Sequence, residues 1–251
     1  MSGSAPGPSL IQRQLWLTRR AHYIAVFERA LELLRQRSDL PVSERKLVRL
    51  LHFTAVTARR EMDPNGLYER PVFETQNLPD RESDEMDPFE DKRPDIQWFH
   101  DDESAADDRH REKSFAIECK RLGSRTASGW DLNEQYVTGG VRRFCSPVWR
   151  YGNHMSEGMM IGFVQDMELL AVRDVVNAHL ANESVGSLTL EAEFVEDGVS
   201  RLEHEFVRTF PHSPFRLLHR WLDTRAVPKI MEPAPIPKRR KRSKRIQKKK
   251  S

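Results

Sequence analysis

The run Phe115-Ala116-Ile117-Glu118-Cys119-Lys120 decides how this chain is read. Its first three residues are apolar, and charge enters only at Glu118 and Lys120. Successive side chains of a strand point to opposite faces, so Phe115, Ile117 and Cys119 share one face and Ala116, Glu118 and Lys120 the other. A carboxylate and an ammonium two residues apart then stand about 6.5–7 Å apart at Cα, on the same side of a sheet. Upstream, Pro94-Asp95 leads into Ile96-Gln97-Trp98-Phe99, a second strand whose start the proline fixes.

Working outward, the flanks supply more elements. From Leu10 to about Arg37, Leu15, Ile24, Phe27, Leu31 and Leu34 recur at helical spacing, and Leu40-Pro41 breaks the pattern. Ser43 stands where an N-cap belongs, before a second helix to about Arg60 with Leu47, Leu50, Leu51 and Thr54 on one face. Pro71 to Glu74 is a weak strand. A helix over 131–144 follows the Glu118 strand, although Gly139-Gly140 weakens it. Met159 to Val164 is a buried strand, and Met167 to Leu180 a helix. Ser187–Val195 and Ser200–Thr209 form a hairpin about Asp197-Gly198. Phe215 to Leu222 is ambiguous between strand and helix. From residue 43 the order is helix, weak strand, strand, strand, helix, strand, and the remainder reads as accessory.

At 251 residues the chain is long enough for one sizeable α/β domain with appendages. Residues 1–9 read as disordered, 10–42 as a helical extension, 43–227 as the main domain, and 228–251 as a proline-containing linker and disordered basic tail. Ten of the 41 Lys and Arg lie between Lys238 and Lys250; the remaining 31 face 38 acids, leaving the body near −7. Nucleic-acid affinity is therefore expected to be local. The tail residues Lys238, Arg239, Arg240, Lys241, Arg242, Lys244, Arg245, Lys248, Lys249 and Lys250 suit phosphate backbones. They have no aromatic among them for base stacking, so they read as a non-specific tether, or as a solubility tail. Cys119 and Cys145 cannot build a disulfide framework or a four-cysteine zinc site. No secretory signal or membrane-spanning run is evident, which predicts a soluble, cytoplasmic protein with no membrane partner.

Hydrolysis of a phosphodiester calls for a metal that activates water and neutralises charge at phosphorus. Magnesium takes hard oxygen ligands and keeps several waters, so one or two carboxylates suffice. Pro94-Asp95 followed by Glu118-Cys119-Lys120, in this element order, resembles the PD-(D/E)xK, restriction endonuclease-like nuclease superfamily over about residues 43–165. The resemblance implies an α-β-β-β-α-β core with a central mixed sheet. It implies Asp95 and Glu118 as ligands to Mg2+, with Mn2+ able to substitute, and Lys120 as the group that positions water and stabilises charge. Glu44 falls where members carry an additional acid, and Gln135, Tyr136 and Arg143 lie on the helix that often orients substrate or metal. A DNA endonuclease in bacterial defence follows as the expected function, with DNA as partner and a homodimer or partner defence proteins as company.

Other readings stand beside these. A non-catalytic nucleic-acid-binding or assembly subunit would keep the fold, and a sister enzyme would act on RNA or repair intermediates. Glu118 and Lys120 could be a solvent-facing strand side, Asp95 a turn residue, and Glu44 a helix-start acid favoured by the macrodipole. Arg143 could be solvated and Tyr136 core packing. No histidine spacing builds a metal site, so His154, His204 and His219 read as structural. Gly139-Gly140 lacks the Gly-Lys-Ser/Thr end of a phosphate loop, and the acids at 101–108 lack the spacing of a calcium loop.

Overall fold

A computed structural model describes residues 10–79, 85–102, 111–192, 198–210 and 212–230. The basic tail, residues 1–9 and most of the acidic 101–108 segment lie outside these, so the disorder and tether expectations for them do too.

Helix α1 spans Leu10–Arg35 and α2 spans Glu44–Met62. Tyr23, Val26, Phe27, Ala30, Leu31 and Leu34 recur at three and four residues along α1, and all six are fully buried. They pack with Leu47, Val48, Leu51, Ala55 and Ala58 of α2 in one core. The N-terminal helix is thus part of the main core. Ser43 holds the N-cap position in extended conformation, but its side chain makes no capping hydrogen bond. Between the helices, β1 (Leu40–Pro41) leaves the helical path where proline removes a donor.

The strands are β2 (Pro71–Phe73), β3 (Ile96–Asp101), β4 (Glu112–Leu122), β5 (Glu157–Val164), β6 (Thr189–Ala192), β7 (Val199–Phe206) and β8 (Phe215–Asp223). They form one seven-stranded sheet in the order β2-β3-β4-β5-β8-β7-β6. The β4–β5 and β5–β8 pairs are parallel and the other pairs antiparallel, which makes the sheet mixed. The expected hairpin is β6–β7. Phe215–Leu222 is a strand and not accessory: β8 lies beside β5, inside the sheet. A two-residue strand β9 (Lys229–Ile230) pairs parallel with β1, so the segment read as the start of a linker is tied back to the fold.

Helices cover both faces, as parallel central strands require. Phe115, Ile117 and Cys119 of β4 join the α1/α2 core, as strand alternation predicts. Ala116 and Leu122 join a second core under α3 (Leu132–Tyr136), a π-helical turn (Val137–Val141), α4 (Arg142–Cys145) and α5 (Leu169–Asn182). The Asp131 side chain caps α3 by accepting from the backbone N–H of Asn133 and Glu134. The molecule is a mixed α/β structure with the sheet as its middle layer. Among the described residues no helix is long and apolar enough to cross a membrane, and both cysteines are free.

Candidate functional site

Strand alternation puts Glu118 and Lys120 on the α3 side of β4, and the packing there is unusually polar. Glu118 is fully buried in the sheet, while Lys120 is 8% exposed. Lys120 Nζ donates to Glu118 Oε1 at 2.6 Å, to the Cys119 carbonyl at 3.0 Å and to Glu44 Oε1 at 3.2 Å. Arg143 Nη1 donates to the same Glu118 Oε1 at 2.6 Å. The second carboxylate oxygen, Oε2, is buried and has no hydrogen-bond partner. An ionised carboxylate can accept on both oxygens, so this orphan is the least satisfied atom of the cluster.

Asp95 precedes β3, and its Oδ2 accepts the Cys119 backbone N–H at 2.8 Å. That bond fixes the Asp95 carboxylate against the residue between Glu118 and Lys120. Burial, then the Glu118 charge, pushes its carboxyl up to about 8, against the pull of Lys120 and the Cys119 N–H. For Lys120, burial works against the charge, but Glu118, Asp95 and Glu44 outweigh it and hold the ammonium above its ordinary range. Glu44 lies on the first turn of α2 and also accepts the Arg121 backbone N–H at 3.2 Å. It therefore bridges the helix start to β4.

Arg143 is held towards Glu118 by aromatic residues that follow it closely in the chain. Its guanidinium lies 4.3 Å over the Trp149 ring and 5.8 Å from that of Tyr151. These aromatics sit on the loop after α4, so residues six and eight positions on clamp the arginine. The glycine pair also has a use. A Cβ on Gly140 would come within 2.6 Å of Met160 Cε and 3.3 Å of Lys120 Cγ. The missing side chain lets the π-helical turn press onto β4 and β5. Single π turns inside helices are often found at functional sites.

Asp95, Glu118, Lys120, Glu44 and Arg143 are therefore brought together, while Gln135 stands beside them. Glu44, Lys120, Arg121, Trp130, Gln135 and Arg143 line one cleft of about 480 Å³. Tyr136 is a different case. It is fully buried, accepts from Trp221 Nε1 at 2.9 Å, and lies 2.6 Å from His219 Nδ1. Indole N–H can only donate, so the Tyr136 oxygen accepts from Trp221, and the hydroxyl shares a further hydrogen bond with His219 Nδ1. His219 Nε2 in turn shares a hydrogen bond with His204 Nδ1 at 2.9 Å. Tyr136 belongs to this internal chain, and not to the cleft.

The chain has a measurable pH signature. Burial holds His204 down to about 4, so it stays neutral in the fold while an unfolded chain takes up a proton below about 6.5. Its share of stability is full above pH 6.5 and is lost as pH falls towards 4. Asp95 acts in the opposite sense, so the readout is a comparison of variants. Between pH 7 and pH 5, urea unfolding of His204→Gln is expected to lose about 2 kcal/mol less than wild type. Parallel pH profiles for the two proteins would refute this account of the network.

Sequence reading missed the Trp149–Tyr151 clamp, the cleft position of Trp130, and Arg121. The available signal was an aromatic pair closely following an arginine of the candidate helix. Among the described residues no group of three or more His, Cys, Asp and Glu side chains converges as a metal cage would. Compared with family models, with curated proteins and with solved structures, the chain gives no match, so its own residues carry the functional reading.

Proposed function

We propose that this chain is a magnesium-dependent nuclease of the restriction endonuclease-like, PD-(D/E)xK class, hydrolysing phosphodiester bonds in DNA and serving in defence against foreign DNA. The observation that carries this reading is the meeting of Asp95, Glu118 and Lys120 beside one cleft, with an oxygen of the buried Glu118 lacking any partner. Two carboxylates fit magnesium because the ion keeps most of its waters. Glu118 Oε1 is committed to two cations and Oε2 is not, so Glu118 and Asp95 are the residues that would hold the ion. Manganese would fit the same oxygens. When bound, the ion supplies neutralisation of phosphoryl charge and a water of lowered pKa.

The remaining work falls to the chain's own side chains. Lys120 keeps its proton and is oriented by three acceptors, which suits it to hold a water and stabilise charge growing on phosphate oxygens. Glu44 limits where that ammonium can point. Arg143, clamped over Trp149, holds Glu118 in place and adds positive charge at the cleft wall. The basic tail is assigned to non-specific tethering of nucleic acid.

The second reading is a nucleic-acid-binding or assembly subunit without catalysis. It is favoured by one observation: Lys120 and Arg143 already neutralise Glu118 as the structure stands. Cleavage assays decide between them, using plasmid, single-stranded DNA and RNA with magnesium or manganese. Wild type is expected to cut DNA, and Asp95→Ala and Lys120→Ala each to lose about 100-fold or more. Deleting residues 238–251 is expected to flatten the salt dependence of binding. Binding without cleavage by wild type supports the second reading, and cleavage surviving both substitutions overturns the site assignment.

A further inference from the structure

The chain has five tryptophans, and four are engaged by the fold. Trp98 and Trp221 are fully buried. Trp16 donates to Glu157 Oε1 at 3.0 Å and stacks on His100 with ring centroids 5.0 Å apart. Trp149 lies beneath Arg143. Trp130 is the exception: it is 59% exposed, and its ring has no hydrogen bond or ring partner among the described residues.

The backbone that presents it is firmly built. The Trp130 N–H donates to Thr126 Oγ1 at 3.0 Å, and its carbonyl accepts the Thr126 N–H at 2.8 Å. The Gly129 N–H closes on the Thr126 carbonyl at 2.8 Å, with Gly129 at φ +88°. The next residue, Asp131, caps α3. A large flat ring is thus held out from a closed turn that is fastened to a helix start. It lines the same cleft as Lys120, Arg121 and Arg143. Arg121 and Arg143 each keep a buried Nε–H with no acceptor.

A free aromatic face beside a group of cations matches the base and phosphate of one nucleotide. We infer that Trp130 is a stacking platform for an unpaired base, so that the cleft takes single-stranded nucleic acid in preference to continuous duplex. In a duplex both faces of each base are covered by neighbours; in a single strand a face is available to an aromatic side chain. Every base has such a face, so this contact selects strand state with little regard to sequence. At about 480 Å³ the cleft is within the size range of sites for small organic ligands, which fits one nucleotide in residence.

The inference rests on the nucleic-acid part of the proposed function but not on hydrolysis, so it is tested without metal. Intrinsic fluorescence of the full chain in EDTA is titrated with an oligothymidylate and with a blunt duplex of equal length. The single strand is expected to quench wild type, and most of that quenching should vanish in Trp130→Phe. Trp130→Ala is expected to bind the single strand about tenfold more weakly or worse, with duplex affinity and the circular dichroism spectrum unchanged. Single-strand binding by Trp130→Ala equal to wild type overturns the inference. So does undiminished quenching in Trp130→Phe, or no single-strand binding by wild type. Quenching retained in a protein that cuts nothing would refute the nuclease reading alone.

Discussion

Glu118→Leu is expected to lower the free energy of unfolding by about 3–5 kcal/mol, the cost of stripping a buried ion pair of one partner. Glu118 is fully buried, and its Oε1 is 2.6 Å from both Lys120 Nζ and Arg143 Nη1. Removing the carboxylate leaves the Lys120 ammonium enclosed, with Glu44 and the Cys119 carbonyl as its hydrogen-bonding acceptors. Lys120→Met should be costly for the complementary reason. The double variant Glu118→Leu/Lys120→Met should recover part of the loss, because an apolar pair of similar volume avoids the desolvation of both, while Arg143 still lacks its carboxylate. Cleavage should stay abolished in all three. Urea unfolding together with plasmid cleavage checks this. A double variant as unstable as the sum of the singles would mean the two groups do not act as a pair. Recovery of cleavage along with stability would mean they are not catalytic.

Arg208→Met is expected to be of similar size, at about 3–5 kcal/mol, because it leaves several buried acceptors unpaired at once. Arg208 donates to the carbonyls of Phe144, Tyr151, Gly152 and Met155 at 2.8–3.4 Å, and its guanidinium lies 3.9 Å over Phe215. Burial draws its ordinarily very high pKa down to about 9, so the charge is held at a cost that those carbonyls offset. For a chain of this length the melting temperature should drop by about 10 °C. Arg208→Lys should rescue little, since an ammonium lacks the planar fork that reaches separate carbonyls. The loop this residue staples carries Trp149 and Tyr151, so its amides should exchange faster with solvent in Arg208→Met and the Arg143 clamp should loosen. A variant with wild-type melting and unchanged loop exchange would show that the staple is dispensable.

Legibility in the sequence followed the range of the forces involved. Glu118 and Lys120 could be placed on one face because alternation along a strand is local and nearly obligatory. The stripes of α1 and α2 could be read in part for the same reason: Phe27, Leu31, Leu34, Leu47 and Leu51 are buried, while Leu15 is exposed and Leu50 and Thr54 are half-buried. Phe215–Leu222 was ambiguous because Arg216, His219 and Arg220 interrupt its apolar pattern. Partners lie far off in the chain: Glu28 of α1 accepts from Arg220 at 2.7 Å, and the Tyr136 hydroxyl lies 2.6 Å from His219 Nδ1. Nothing within the run announces them. Gly139-Gly140 looked like a defect in a helix because the cost of glycine is local, while its benefit, close approach to Lys120 and Met160, is tertiary. Arg143 could be nominated for the site, but its hold on Glu118 depends on a loop whose geometry is set by Arg208.

The pairing of β1 with β9 has a kinetic consequence. Pro41 and Ile230 are register partners, and Glu44 is three residues beyond Pro41. Three residues span no more than about 11 Å, so Ile230 lies close to the Glu44 end of the cleft. Under the proposed tethering, a polyanion held by the basic tail would meet Glu44 and Lys120 in an intramolecular step governed by local concentration. On that account the short parallel pair sets where a captured strand is delivered, and so how often it meets the cleft before it escapes.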